Sequence, residues 1–105
     1  DELRWKPINY VASTTWSENG ITYHAFRSGE VVEVSAIGGT TTSSVSANGF
    51  ITTVPSGFRP KTYSAEAWDT TRANRLLINT NGSIGTFVTI ASGSTIRFPA
   101  TYIGA

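Results

Sequence analysis

Cysteine is missing from this chain, histidine occurs once, and charged side chains make up only 14% of its 105 residues. Without cysteine there is no disulfide frame and no thiol nucleophile. The single histidine, His24, has no Ser or Cys motif beside it and no acidic partner at a telling distance. It reads as a polar or packed strand position, because nucleophilic catalysis needs a base, a nucleophile and an orienting group together. One histidine also leaves only carboxylates for a metal, and no calcium-loop spacing is present. No cofactor is expected. The net charge is +1 and the charges are scattered, so there is no basic stripe of the kind that displaces counterions from nucleic acid. Nor is there a polybasic membrane anchor. No run approaches the roughly 18 apolar residues of a membrane span, and no apolar signal core opens the sequence.

Good helix formers never gather with a 3.6-residue period; the segment Ala65-Glu66-Ala67 is too short to count. What the chain does hold is Thr, Ser, Val, Ile, Tyr and Phe, the residues that fit a pleated, half-buried surface. At this length it reads as one all-β domain with one modest core. Turn signals recur about every ten residues and separate roughly nine short strands, the pattern of an antiparallel sandwich or barrel. The strand candidates are 11–16, 21–27, 31–37, 40–45, 50–54, 61–67, 75–79, 83–90 and the final 95–98 with 101–103. Segment 21–27 places Ile21, Tyr23 and Ala25 on one face and Thr22, His24 and Phe26 on the other. Both faces carry apolar groups, which implies burial on two sides or a subunit contact. Ser28-Gly29-Glu30 folds it onto 31–37 as an antiparallel hairpin, and Gly38-Gly39 reads as a bulge or bend. Ser17-Glu18-Asn19-Gly20 and Ser46-Ala47-Asn48-Gly49 read as turns. Residues 1–16 form a lead-in segment or neck, and 17–105 the domain proper. The opening Asp1-Glu2-Leu3-Arg4 is expected to be the start of a piece of a longer or processed protein.

The segment 54–84 organises the rest. It opens on a proline-flanked corner, Pro55-Ser56-Gly57-Phe58-Arg59-Pro60, and closes on Ile78-Asn79-Thr80-Asn81-Gly82-Ser83-Ile84. Asn81-Gly82 between two alternating runs predicts a type I′ hairpin, with positive φ at both residues. Between these points lie Glu66, Trp68, Asp69, Arg72, Asn74 and Arg75. Glu66 and Asp69 flank Trp68 and form a conceivable glycosidase pair, but two acids three residues apart in a loop usually are just solvated. Binding is better supplied. Sugars present hydroxyls around apolar C–H faces, and proteins hold them with aromatic platforms plus amide, carboxylate and guanidinium groups. Trp68, Asp69, Arg72, Asn74 and Arg75 supply such groups, with Phe87, Arg97 and Tyr102 joining if the last strands run alongside. The plainer reading of Phe87 and Tyr102 is core, because aromatics mostly bury.

The order Val54-Pro55-x-x-Phe58-Arg59-Pro60, then Ile78-Asn79-x-Asn81-Gly82-Ser83-Ile84, then a closing strand with Arg97 and Tyr102, resembles the C-terminal head domains of phage tail receptor-binding proteins. The likeness is greatest to the heads of lactococcal siphophage baseplate proteins, whose first hairpin is similar to residues 20–37. This resemblance implies a compact β-barrel-like head, assembled as a homotrimer at the virion tail tip and joined to the remainder of a tail fibre or baseplate protein. It implies binding of host cell-wall polysaccharide in clefts at or near subunit boundaries, without enzymatic activity. In those heads the sugar site uses a His and an Asp on the strand before the Asn-Gly turn, a Trp just after it, and an Arg near the end. Arg97 matches that Arg, with Tyr102 at the same spacing. The His position falls on Arg75, the Asp position on Leu77 and the Trp position on Thr86 or Phe87, so the sugar chemistry differs or the site has moved toward Trp68. Low charge and two-faced apolar strands also suit a domain that buries surface against copies of itself, and repeated weak sites gain from acting together. Two other functions fit the same residues: a structural trimerisation knob that caps a fibre without touching a receptor, and a binding module of a secreted carbohydrate-active enzyme. An exposed Trp68 with Asp69 and Arg72 around a cleft favours binding, a Trp68 buried between subunits favours the knob, and Glu66 facing Asp69 across a groove favours catalysis.

Overall fold

The structure, a computed structural model, describes residues 11–62, 64–68 and 75–105. Among these the chain forms eight strands: β1 (Val11–Glu18), β2 (Ile21–Ser28), β3 (Val31–Gly39), β4 (Phe50–Thr53), β5 (Ala65–Trp68), β6 (Arg75–Ile78), β7 (Ser83–Thr86) and β8 (Phe98–Ile103). They make two antiparallel four-stranded sheets, ordered β1-β2-β3-β8 and β4-β7-β6-β5. The expected all-β class holds, in its sandwich form. The barrel does not close: between the sheets the chain just after β8 meets the corner through an isolated bridge, Pro60↔Gly104, rather than a ladder. The corner is bent by its own turn, with Phe58 N donating to Pro55 O, and so offers little extended backbone to β8. The boundary drawn between residues 16 and 17 falls inside β1, which pairs along its whole length with β2. Residues 11–16 are therefore part of the first sheet.

Alternation along β2 and β3 turns Ile21, Tyr23, Ala25, Val32, Val34 and Ala36 inward, where they meet Ile51, Leu76, Ile78 and Ile84 from the second sheet. On its other face β2 is half open, with Thr22 and His24 partly buried and Phe26 exposed. The outward row Val11–Ser28–Val31–Ile103 crosses all four strands in register and leaves three apolar side chains exposed. Arg27 continues the inward phase of β2 and is 1% exposed. Its Nε donates to Gly29 O at 2.8 Å, and its Nη1 to Gly57 O at 2.8 Å and Ala105 O at 2.7 Å. A buried guanidinium thus ties the β2–β3 turn, the proline corner and the final residue together. Opposite it, the Tyr102 hydroxyl donates to the Phe58 carbonyl.

Trp16 of β1 stacks on Tyr23 with ring centroids 5.4 Å apart. Its Nε1 donates to Thr52 Oγ1 at 2.9 Å, and that hydroxyl donates to Glu18 Oε1 at 2.8 Å. Burial, then the Glu18 carboxylate, push the Tyr23 phenol well above its ordinary pKa. Tyr102 is raised too, by burial, with the Arg27 charge acting in the opposite direction.

The type I′ turn lies elsewhere than expected. Asn19 (φ 52°) and Gly20 (φ 83°) both have positive φ between the paired Glu18 and Ile21, which is the I′ signature. At Asn81-Gly82 only Gly82 is positive, at 92°. Gly82 N donates to Asn79 O at 2.8 Å and Asn79 N to Ser83 O at 2.9 Å, so a type I turn is followed by a left-handed residue. The Asn81 side chain explains the difference: its Oδ1 accepts from Ser83 N and Ser83 Oγ, holding an Asx turn. The strand expected over 40–45 is reduced to bridges at Thr40↔Thr95 and Val45↔Ile90. Here Asn19 Oδ1 accepts from both the amides and the hydroxyls of Thr42 and Ser43, and a side chain thus takes bonds that a partner strand needs. Of the first closing segment only Phe98 enters β8, which runs on through Pro99 to Ile103; Pro99 is exposed on the last strand of its sheet, where a missing N–H is tolerated.

Candidate functional site

The second sheet is four strands wide and its outward positions follow from a simple alternation. In β5, Ala67 points inward, leaving Glu66 and Trp68 outward; in β6, Leu76 and Ile78 point inward, leaving Arg75 and Leu77 outward. Register then sets the neighbours. Glu66 pairs with Leu77, Leu77 with Gly85 and Gly85 with Phe50, one row across β5, β6, β7 and β4. In the next row Trp68 pairs with Arg75, and the Arg75 guanidinium carbon lies 4.5 Å from the centroid of the Phe87 ring.

The result is an aromatic face. Phe50 is 62% exposed, Trp68 56% and Phe87 43%, so three large rings lie open on one side of one sheet. Phe50 packs over Gly85, where an added Cβ would meet two ring carbons at 3.6 Å. Between the rings of Phe50 and Phe87 runs a cleft of about 140 Å³, floored by Leu77 and Gly85 and rimmed by Asn48 and Asn79. Asn79 is held by its neighbours: its Nδ2 donates to Ser83 Oγ at 3.0 Å and its Oδ1 accepts from Ser64 Oγ at 3.0 Å. Arg75 also reaches Glu66, with Nη1 and Oε2 3.3 Å apart. Both side chains are roughly half exposed, so this ion pair adds little to stability. Its interest is chemical: a fork of donors next to an acceptor, beside an aromatic wall. A guanidinium over an aromatic face is also fixed in place by the ring quadrupole.

Of the residues expected at a binding site, the structure brings together Trp68, Arg75 and Phe87. Asp69 and Arg72, like Asn74, lie outside the described residues, and so does the Asp69 half of the Glu66–Asp69 acid pair. Arg97 is exposed on the approach to β8 in the other sheet. Tyr102 is half-buried on β8, its hydroxyl used by Phe58. It lines a second cleft of about 260 Å³ with Lys61, Thr62, Ser64, Ala65 and Ile103, and among these described residues Tyr102 is the one aromatic. Phe87, whose plainer reading was core, is exposed and walls the first cleft. Phe50 was missed by sequence reasoning. The available signal was its place after Asn48-Gly49 at the start of an alternating run, but only the pairing with Gly85 brings it to this face. His24 is half-buried, with Nδ1 3.0 Å from Thr15 Oγ1.

Comparison with protein-family models and with curated proteins gives no match for this chain.

Proposed function

We propose that this domain is the receptor-binding head of a phage tail fibre or baseplate protein, recognising bacterial cell-wall saccharide at the virion tail tip. The observation that carries this reading is the open aromatic face of the second sheet, with Phe50, Phe87 and Trp68 exposed around the Arg75–Glu66 pair. Rings of this kind offer flat apolar area to the C–H face of a sugar, while the guanidinium, the carboxylate and Asn48 meet its hydroxyls. The domain acts by binding and not by catalysis. The motif order described above supports the phage context. The opposite outer face, with Val11, Phe26, Val31 and Ile103 exposed, suits contact with copies of the chain in a homotrimer.

That same apolar face also favours a second reading, a structural knob that trimerises a fibre and meets no receptor. One experiment separates them. The protein is sized by light scattering and screened against a glycan array that includes bacterial cell-wall polysaccharides. A trimer that binds, and that loses binding in Trp68→Ala or Phe87→Ala while staying folded, supports the receptor-binding head. A trimer silent across the array supports the knob, and a monomer removes the homotrimer from both.

A further inference from the structure

Resting on the saccharide-binding reading, we infer that the outer face of the second sheet takes an uncharged glycan segment several units long, laid across the strands from Phe50 to Trp68, rather than a single terminal or anionic sugar. Three observations carry the inference. The first is extent. Phe50 stands on β4 and Trp68 on β5, the two ends of the order β4-β7-β6-β5. Three inter-strand spacings put the two rings about 14 Å apart across the sheet, more than one pyranose ring can cover. Phe87 and Arg75 lie between them, so the aromatic contacts are distributed along a line instead of ringing one pocket.

The second observation is openness. The cleft between Phe50 and Phe87 is a half-open trough on a sheet surface, lined by Leu77 and Gly85. An enclosed pocket suits a chain terminus; an open trough suits an internal segment. The third is charge. Glu66 and Arg75 are the charged side chains within the four strands, and they pair with each other at 3.3 Å. Within these four strands the two charges cancel. A neutral hydroxyl can donate to the Glu66 carboxylate while accepting from Arg75, satisfying both. An anionic group has to compete with Glu66 for the guanidinium and is repelled by the carboxylate it faces.

The test is calorimetric titration of the intact domain with size ladders, from one to six units, of neutral chito-oligosaccharides, malto-oligosaccharides and a rhamnose-containing cell-wall hydrolysate. Polyglycerol phosphate and uronic-acid oligomers serve as anionic counterparts. The expected result is affinity that rises on the order of tenfold between one unit and three, then levels off, with little dependence on salt. Phe50→Ala and Trp68→Ala, at opposite ends, should each flatten that rise. Full affinity from a monosaccharide overturns the inference while leaving saccharide binding intact. So does an anionic oligomer that outcompetes the neutral ones and weakens with salt. Silence toward every ladder, with Trp68→Ala or Phe50→Ala altering the oligomeric state, overturns the saccharide reading as well and makes the face a contact between copies.

Discussion

Gly82 joins the proline corner to the hairpin, and replacing it by alanine is the sharpest test of that junction. Val54 N donates to Gly82 O at 2.7 Å, and Arg59 Nε donates to Val54 O at 2.8 Å across the same spot. A Cβ on Gly82 would lie 2.5 Å from Arg59 Nε and 2.6 Å from Val54 O, at a backbone φ of 92°. The left-handed conformation costs an L-residue roughly 1–2 kcal/mol. Forcing a methyl into packed surroundings costs about 1–3 kcal/mol more, for a combined loss of about 2–5 kcal/mol. A domain of this size holds about 5–15 kcal/mol in all, so the melting temperature should drop on the order of 10–30 °C. Gly57→Ala is the control, because Gly57 has φ 97° but nothing within 4 Å of its added Cβ. It isolates the backbone part. The assay is urea and thermal unfolding followed by circular dichroism, on Gly82→Ala, Gly57→Ala, Arg59→Ala and the Gly82/Arg59 double variant. Arg59→Ala should partly relieve Gly82→Ala, leaving the clash with Val54 O, and the double-mutant cycle reads that coupling. If Gly82→Ala and Gly57→Ala unfold alike, within about 0.5 kcal/mol, the corner and the hairpin do not meet as described and the reasoning fails.

Arg27→Lys should destabilise the domain by about 2 kcal/mol or more, because a single ammonium cannot reproduce the fork that serves Gly29, Gly57 and Ala105; urea midpoints unchanged from the parent would refute this. The pH dependence follows from the two raised phenols. Below an unfolded tyrosine pKa of about 10 both states keep the proton, and stability is independent of these groups. Above it the unfolded chain loses protons that the folded one retains at Tyr23 and Tyr102, so stability falls as pH rises past that value. Phenolate absorbance on the folded protein should show two tyrosines titrating late, and Tyr23→Phe should lessen the alkaline loss; a parent and variant with the same alkaline profile would remove Tyr23 as its source.

Much of the fold was legible because its signals are local. The run 21–37 reads as a hairpin from alternation and a Gly-containing turn, and β2 and β3 pair that way. Asn19-Gly20 and Asn81-Gly82 look alike in sequence yet form different turns. The choice is made by which side chain answers: Asn19 is drawn outward to Thr42 and Ser43, whereas Asn81 folds back on Ser83. The candidate site was legible in part for the same reason. Trp68 and Arg75 are near in sequence and become cross-strand partners. Phe87 joins them only because β7 lies beside β6, and Phe50 only because β4 lies beside β7.

By itself, the sequence determined an all-β domain without thiol chemistry, poor in charge, with strands and breaks set by alternation, glycine and proline. Those are properties of neighbouring residues, and a period of two needs no distant partner to be read. Tertiary structure decided which face of each strand is inside, that the sheets form a sandwich rather than a closed barrel, and that a guanidinium is buried at Arg27. It also decided that Phe50, Leu77, Phe87 and Arg75 share one surface while Tyr102 is used to pin β8 to the corner. These outcomes depend on strand order and register, which arise from contacts between residues far apart in the chain and are fixed only when the two sheets pack.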